Sequence, residues 1–165
     1  MIKIAVLTLS DKGARGERQD ESGPAIKAAL QGLGEVVHYA MLPDEMGPIK
    51  AKLIEYSGKV DLIITTGGTG LSPRDITPEA TLAVIERQIP GIAEAMRFES
   101  LKKTRRAMLS RAVAGVRCGT LIINMPGSPA AVKEQLEIVY DVLPHAIEKI
   151  KGDPSDCARL DEKTG

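Results

Sequence analysis

Short apolar runs alternate along this chain with segments in which apolar residues recur every three or four positions. The runs are rich in β-branched residues, which is typical of buried strands, and the spaced segments are typical of helices that pack on one side. The pattern predicts strands at 2–9, 35–42, 60–65, 113–118 and 121–125. It predicts helices at 24–33, from 43–45 to about 56, at 77–88, 92–103 and 130–151, the last one bent by Pro144.

The order of these elements indicates the fold class. Strands and helices alternate through the first half, and two short strands follow around Gly119–Thr120, where we expect a β-hairpin. This order predicts an α/β protein with three α/β/α layers and a mostly parallel sheet. We expect one domain at residues 1–151 and a polar, mobile tail at 152–165. Ligands in such sheets bind beyond the carboxyl ends of the strands, so the loops there are the candidates for chemistry.

Net charge and composition limit the classes of partner that this chain is expected to bind. The 22 basic and 22 acidic residues cancel, and aromatic residues make up only 2% of the chain. Neither global charge nor aromatic stacking therefore favours a nucleic acid or an anionic membrane. No apolar run approaches the roughly 20 residues that span a bilayer, and Cys118 and Cys157 form no CxxC pair. We expect a cytoplasmic protein that recognises any charged ligand at a local site.

Four loops that follow predicted strands are rich in glycines, hydroxyls and acids: 10–24, 43–45, 65–75 and 124–129. The third, TTGGTGLSPRD, suits close approach of backbone amides to a phosphate, with threonine and serine hydroxyls as further donors. It matches neither the P-loop nor the GxGxxG dinucleotide pattern. A tight turn between strand and helix explains the same glycines, so both interpretations remain open.

Three charged residues in or near these loops suit phosphate chemistry. Asp44 and Asp75 each follow a predicted parallel strand, so their carboxylates can converge and hold Mg²⁺ against phosphate oxygens. Aspartate at the start of a helix is also a common cap, which is the alternative for both. Arg111 lies just before an apolar strand and can fork onto a phosphate, whereas most of the basic stretch 97–111 has the pattern of a solvated helix face.

Five segments together resemble the MogA/MoaB-type molybdopterin-binding proteins. They lie at 9–24 (beginning LSDK), 42–44 (LPD), 65–81 (TTGGTG followed by PRDITPEAT), 110–112 (SRA) and 125–129 (MPGSP). The resemblance covers about residues 2–150. It implies a molybdopterin adenylyltransferase, which transfers AMP from ATP to the phosphate of molybdopterin and releases pyrophosphate during molybdenum cofactor biosynthesis. A molybdopterin-binding carrier without efficient transfer is the alternative.

The resemblance also implies roles for particular residues. Asp44 and Asp75 are the implied catalytic carboxylates and candidate Mg²⁺ ligands, with Mg²⁺ as cofactor and ATP as co-substrate. The implied molybdopterin- and ATP-binding residues are Ser10, Asp11, Thr66, Gly67, Gly68, Thr69, Gly70, Ser110, Arg111, Pro126, Gly127 and Ser128. A homotrimer is implied, with a molybdenum-insertion protein as a further partner. Attack of one phosphate on another needs charge neutralisation and alignment more than a protein nucleophile, which agrees with these residue types.

Overall fold

Six strands form one mixed sheet in the computed structural model, which describes residues 1–17 and 19–154. The strands are β1 (Ile2–Leu9), β2 (Gly34–Leu42), β3 (Leu62–Thr66), β4 (Arg87–Gln88), β5 (Ala114–Arg117) and β6 (Thr120–Met125). Their order across the sheet is β2-β1-β3-β6-β5-β4. Strands β2, β1, β3 and β6 are parallel to one another, and β5 and β4 continue the sheet antiparallel. The predicted α/β fold, with a mostly parallel sheet and a hairpin, is confirmed.

Helices cover both faces of this sheet. They are α1 (Asp11–Ala14), α2 (Ser22–Ala29), α3 (Met46–Tyr56), α4 (Thr77–Leu82), α5 (Pro90–Leu101), α6 (Pro129–Val139) and α7 (Leu143–Ile150), with 3₁₀ helices at Arg105–Leu109 and Tyr140–Val142. Helices α2, α5, α6 and α7 share one apolar cluster with the sheet, and α3 and α4 share a second cluster on the opposite face.

Strand β1 shows how one strand serves both apolar clusters. Ile4 and Val6 point into the cluster under α2 and α6, while Ala5 and Leu7 point into the cluster under α3. Successive side chains of a strand point to opposite faces, so the part of a strand that has helices on both sides is apolar at most successive positions. This is why the central strands were predictable as continuous apolar runs.

Two predicted helices differ from the structure. The helix predicted at 77–88 ends at Leu82, and residues Arg87–Gln88 instead pair with β5 as an edge strand. That pairing joins residues far apart in the sequence, so the local spacing of apolar residues could not predict it. The helix predicted at 130–151 is interrupted by the 3₁₀ helix at Tyr140–Val142, and Pro144 lies in the first turn of α7. Proline has no N–H to donate, so it suits a first turn rather than a helix interior.

The predicted hairpin is present, with its turn one residue earlier than expected. Cys118 and Gly119 form the turn with φ values of 47° and 77°, the positive values that a two-residue type I′ hairpin requires. Thr120 begins β6, and its buried hydroxyl donates to the carbonyl of Val60 at 2.6 Å. The tail expected at 152–165 lies mostly outside the described residues. No described helix has the length and apolarity to cross a membrane.

Candidate functional site

Loops at the carboxyl edge of the parallel strands enclose a cavity of about 400 Å³. The first residues after β1, β2, β3 and β6 all contribute to this edge because parallel strands end on the same side of a sheet. The predicted site residues that line the cavity are Ser10, Asp44, Thr66, Gly67, Gly68, Asp75, Gly127 and Ser128. Asp44 and Asp75, which are separated along the chain, therefore lie in one site.

The Asp44 carboxylate is held by the loop after β1. The backbone N–H of Asp11 donates to Asp44 Oδ2 at 3.1 Å. The other oxygen, Oδ1, is buried and has no hydrogen-bond partner among the described residues. Burial raises the pKa of Asp44 above its ordinary value of 3.8, and the nearby carboxylates of Asp11 and Asp75 raise it further. A buried carboxylate oxygen without a partner is costly, and a cation would satisfy it.

The Asp75 carboxylate is fixed within its own loop. Its Oδ2 accepts from the backbone N–H of Ser72 at 2.9 Å. A Cβ atom on Gly70 would lie 2.8 Å from that oxygen, so glycine there leaves room for the carboxylate. Asp44 and Asp75 do not cap the helices that follow them, because the cap positions of α3 and α4 are Glu45 and Ile76 and make no side-chain cap hydrogen bond. The helix-cap interpretation is therefore excluded for both.

The glycine turn after β3 needs its glycines for shape. Gly67 and Gly68 have φ values of 99° and 66°, in the left-handed region that favours glycine. A Cβ on Gly67 would collide with the carbonyl of Leu9, and one on Gly68 would collide with the Thr77 hydroxyl. The tight-turn interpretation thus holds. The Gly67 N–H donates to the Met125 carbonyl at 3.1 Å, so this amide already has a protein partner.

Arg111 lies behind the cavity rather than in its lining. Its Nε donates to the Gly70 carbonyl at 2.7 Å, and its Nη2 donates to the Asp75 carbonyl. Its Nη1 pairs with Glu79, and its backbone N–H donates to the Thr69 carbonyl at 2.9 Å. The guanidinium group was expected to bind a phosphate. It instead donates to backbone carbonyls on both sides of Ser72, those of Gly70 and Asp75. Arg111 therefore fixes the loop that carries Asp75.

The remaining predicted residues also stand outside the cavity lining. The Pro126 carbonyl accepts the Thr66 hydroxyl at 2.7 Å, which ties the loop after β6 to the end of β3. The Ser110 hydroxyl accepts from the Ala112 N–H at 3.4 Å and contacts no other predicted site residue by hydrogen bonding. Asp11 contacts the site by hydrogen-bonding Asp44. The carbonyls of Thr69 and Gly70 accept hydrogen bonds from Arg111. The structure thus brings together most, but not all, of the predicted set.

The loop before α2 and the first residue of that helix contribute lining residues that were not among the predicted site residues: Gln19, Asp20, Glu21 and Ser22. Asp20 Oδ1 accepts from the N–H groups of Ser22 and Gly23 at 3.0 and 3.1 Å. The Ser22 hydroxyl donates to the Gly127 carbonyl at 2.8 Å, closing the cavity between the loops after β1 and β6. The available signal was the run of acids and hydroxyls that follows β1.

The acidic residues of the cavity suit a metal ion that binds together with a phosphate ligand. Among residues 1–17 and 19–154, no group of three or more His, Cys, Asp or Glu side chains is placed to hold a metal ion. Asp44 and Asp75 supply two carboxylates to the cavity. Mg²⁺ in phosphate-processing sites usually takes one or two carboxylates and completes its shell with substrate phosphates and water. The residues fit Mg²⁺ of that kind and do not form a complete cage.

A family model, a curated relative and solved structures all relate this chain to proteins of molybdopterin and tungsten cofactor synthesis. Residues 5–145 match the family described as "Probable molybdopterin binding domain". The molybdopterin adenylyltransferase of Helicobacter pylori strain J99 is 43% identical over 156 residues, which cover 92% of this chain and 89% of that protein. The crystal structure of the molybdopterin biosynthesis enzyme MoaB from Thermus thermophilus is similar with a TM-score of 0.88 at 51% identity, covering 94% of this chain and all of that one. The tungsten cofactor synthesizing protein MoaB from Pyrococcus furiosus has a TM-score of 0.84 at 37% identity, covering 91% of this chain and 97% of that one.

Proposed function

Because this chain belongs to the MogA/MoaB-type molybdopterin-binding family, we propose that it is a molybdopterin adenylyltransferase of molybdenum cofactor biosynthesis. The reaction joins the adenylyl group of ATP to the phosphate of molybdopterin. The observation that carries the proposal is the meeting of Asp44 and Asp75 in one cavity, where Asp44 Oδ1 is buried without a protein partner among the described residues.

The chemistry matches the side chains that line the cavity. An oxygen of the molybdopterin phosphate forms a bond to the α-phosphorus of ATP, and the bond from that phosphorus to the bridging oxygen breaks, so pyrophosphate leaves. No described lining residue is a cysteine, histidine or lysine, and the acids and hydroxyls present suit direct transfer without a covalent enzyme intermediate. Alignment of two phosphates and neutralisation of their charge are then the main tasks of the protein.

We assign Asp44 and Asp75 to hold Mg²⁺ beside the phosphates of ATP. The ion would supply positive charge where negative charge accumulates on the departing pyrophosphate. Two observations support this assignment: both residues line the cavity, and Asp44 Oδ1 lacks a donor in the described part of the chain. Asp11 positions Asp44 by accepting from its backbone N–H at 3.0 Å.

The other predicted residues divide into two groups in this proposal. The cavity-lining group would contact molybdopterin or ATP: Ser10, Thr66, Gly67, Gly68, Gly127 and Ser128. The second group would act by holding the loops: Asp11, Thr69, Gly70, Ser110, Arg111 and Pro126. Within the second group, Asp11 hydrogen-bonds the Asp44 carboxylate, and Arg111 donates to the backbone carbonyl of Asp75.

We further propose a homotrimer, which the resemblance implies. Helix α5 and the adjoining 3₁₀ helix expose apolar side chains, with Phe98 at 64% and Met108 at 62% exposure. Two further copies of this chain would cover such side chains, together with Leu101 and Leu109. ATP is an intracellular substrate, so we propose a cytoplasmic location, with a molybdenum-insertion protein as the receiver of the product.

The decisive experiment measures pyrophosphate release from ATP in the presence of molybdopterin and Mg²⁺, together with formation of adenylylated molybdopterin. We expect both products in equal amounts, and neither when molybdopterin or Mg²⁺ is omitted. Saturable molybdopterin binding without pyrophosphate release would instead show a carrier protein. Failure to bind molybdopterin at all would contradict both functions.

A further inference from the structure

The charge of the cavity lining is opposite to what a polyanionic ligand needs. Four acidic residues line it, Asp20, Glu21, Asp44 and Asp75, and no described lining residue is a lysine or an arginine. The proposed substrates bring a triphosphate and a phosphomonoester to the same place. Mg²⁺ offsets only part of this negative charge, so a cationic side chain that can reach the ligand from the cavity rim is expected.

Arg74 is a cation beside that lining, because it pairs with Asp11, and the N–H of Asp11 donates to the lining residue Asp44. Its Nε donates to Asp11 Oδ2 at 2.9 Å and its Nη2 donates to Asp11 Oδ1 at 2.8 Å. It directly precedes Asp75 in the chain, and its side chain is 57% exposed. Burial raises the pKa of Asp44, and the positive charge of Arg74 opposes that rise, which places Arg74 within electrostatic reach of Asp44.

The contacts of Arg74 are exchangeable, whereas those of Arg111 are not. The guanidinium of Arg111 donates to two backbone carbonyls and pairs with Glu79. Breaking these contacts would release the loop that carries Asp75. Arg74 holds one carboxylate on an exposed surface, where ion pairs contribute little to stability. A guanidinium fork fits a phosphate as well as it fits a carboxylate. Arg74 can therefore change partners at little cost to the fold.

We propose that Arg74 is a phosphate clamp, which rests on Asp11 and exchanges this carboxylate for the polyphosphate chain of the nucleotide when ATP binds. The proposal deepens the proposed function and rests on it for the identity of the ligand. Asp11 loses one partner in the exchange, yet its Oδ1 still accepts from the N–H of Asp44. The position of Asp44 is thus kept while Arg74 moves.

Calorimetric titration with ATP and Mg²⁺, and separately with AMP, tests the clamp. Arg74→Gln should weaken ATP binding about tenfold, the usual effect of a lost charge-assisted hydrogen bond, and AMP binding by less than about threefold. Arg74→Lys keeps the charge without the fork and should lie between. Asp11→Asn keeps an acceptor for Asp44 and removes the competitor for Arg74, so ATP should bind as tightly as to the wild type or more tightly.

A static ion pair gives the opposite pattern. It predicts that Arg74→Gln and Asp11→Asn weaken ATP binding alike, and this result would overturn the clamp, as would unchanged ATP binding by Arg74→Gln. Arg87→Gln is the matched control, because Arg87 is exposed on β4, pairs with Val116 near the hairpin turn and does not line the cavity. Its ATP affinity should not change. Thermal unfolding of every variant checks that it is folded. If Asp11→Asn does not fold, the ATP and AMP affinities of the two Arg74 variants decide between the clamp and the static ion pair.

The same experiments separate the clamp from the proposed function. A wild-type protein that binds ATP without releasing pyrophosphate, while Arg74→Gln binds it about tenfold more weakly, would contradict the transferase and support the clamp. Normal transferase activity with full ATP affinity in Arg74→Gln would contradict only the clamp. A wild-type protein that binds no ATP would overturn both.

Discussion

Asp11 and Asp44 hold each other in place through reciprocal hydrogen bonds. The N–H of Asp11 donates to Asp44 Oδ2 at 3.1 Å, and the N–H of Asp44 donates to Asp11 Oδ1 at 3.0 Å. The two residues follow the neighbouring parallel strands β1 and β2. Because Oδ2 of Asp44 is used in this way, Oδ1 is the oxygen left without a partner among the described residues. The orientation of the candidate catalytic carboxylate is thus set jointly by two loops.

Replacing Asp75 with asparagine should stop transfer without unfolding the protein. Asparagine keeps an oxygen that can accept from the Ser72 N–H, so the loop should stay intact, but the negative charge for Mg²⁺ is lost. We expect pyrophosphate release to fall at least about 100-fold, and molybdopterin binding to change by less than about threefold. Turnover at the wild-type rate by folded Asp75→Asn would show that the assigned role is wrong.

The raised pKa of Asp44 predicts a pH-dependent cost to stability. The folded protein holds this proton more tightly than the unfolded chain, so the contribution of Asp44 is most favourable below the ordinary pKa of 3.8 and is lost as the pH rises through the higher folded value. Asp44→Asn cannot ionise. In urea unfolding with EDTA, the stability of Asp44→Asn relative to wild type should therefore increase with pH across this window and then level off. A difference that is independent of pH would contradict the raised pKa.

Gly68→Ala should destabilise the turn after β3. Its φ of 66° disfavours a side chain, and the new Cβ would meet the Thr77 hydroxyl and approach Asp44 Oδ1 to 3.1 Å. We expect the free energy of unfolding to fall by about 1–3 kcal/mol, measured by urea denaturation. Gly47→Ala is the matched control: Gly47 lies in α3 with open space around its Cβ position, so alanine should stabilise by about 0.4–1 kcal/mol. Equal effects of the two substitutions would contradict the strain argument.

The proposed trimer predicts a specific response to charge on one surface. Phe98→Glu combined with Met108→Glu should convert a trimer to monomers in sedimentation, because both apolar side chains are exposed on adjoining helices. Ile54→Glu, at a 46% exposed apolar position of α3, is the control and should leave the trimer intact. A wild-type monomer, or dissociation by Ile54→Glu alone, would contradict this interface.

The central sheet and the meeting of its loops were predictable from the sequence for one physical reason. A parallel strand between two helical layers is largely apolar, as the buried run Leu62, Ile63 and Ile64 of β3 shows. Once parallel strands are assigned, the side on which their loops meet follows from chain direction. Asp44 and Asp75 could therefore be expected at one edge before their contacts were known.

Features that depend on partners distant in the sequence were not predictable. Strand β4 has two residues, Arg87–Gln88, and exists because β5 offers hydrogen bonds to it. The contacts of Arg111 were also hidden, since a position just before a strand does not say whether a guanidinium faces a ligand or the carbonyls of Gly70 and Asp75. Local patterns thus identified the elements and the loops but not which groups satisfy one another.

The order β2-β1-β3-β6 also sets the spacing of the loops around the cavity. Neighbouring strands are about 4.8 Å apart, so four adjacent strand ends span roughly 14 Å. Asp44 follows β2 and Asp75 lies in the loop after β3, so two of these spacings separate the strand ends that lead to the two candidate carboxylates. A longer loop would leave this spacing unchanged, whereas inserting a strand between β1 and β3 would move Asp44 away from Asp75 by one full spacing and divide the cavity.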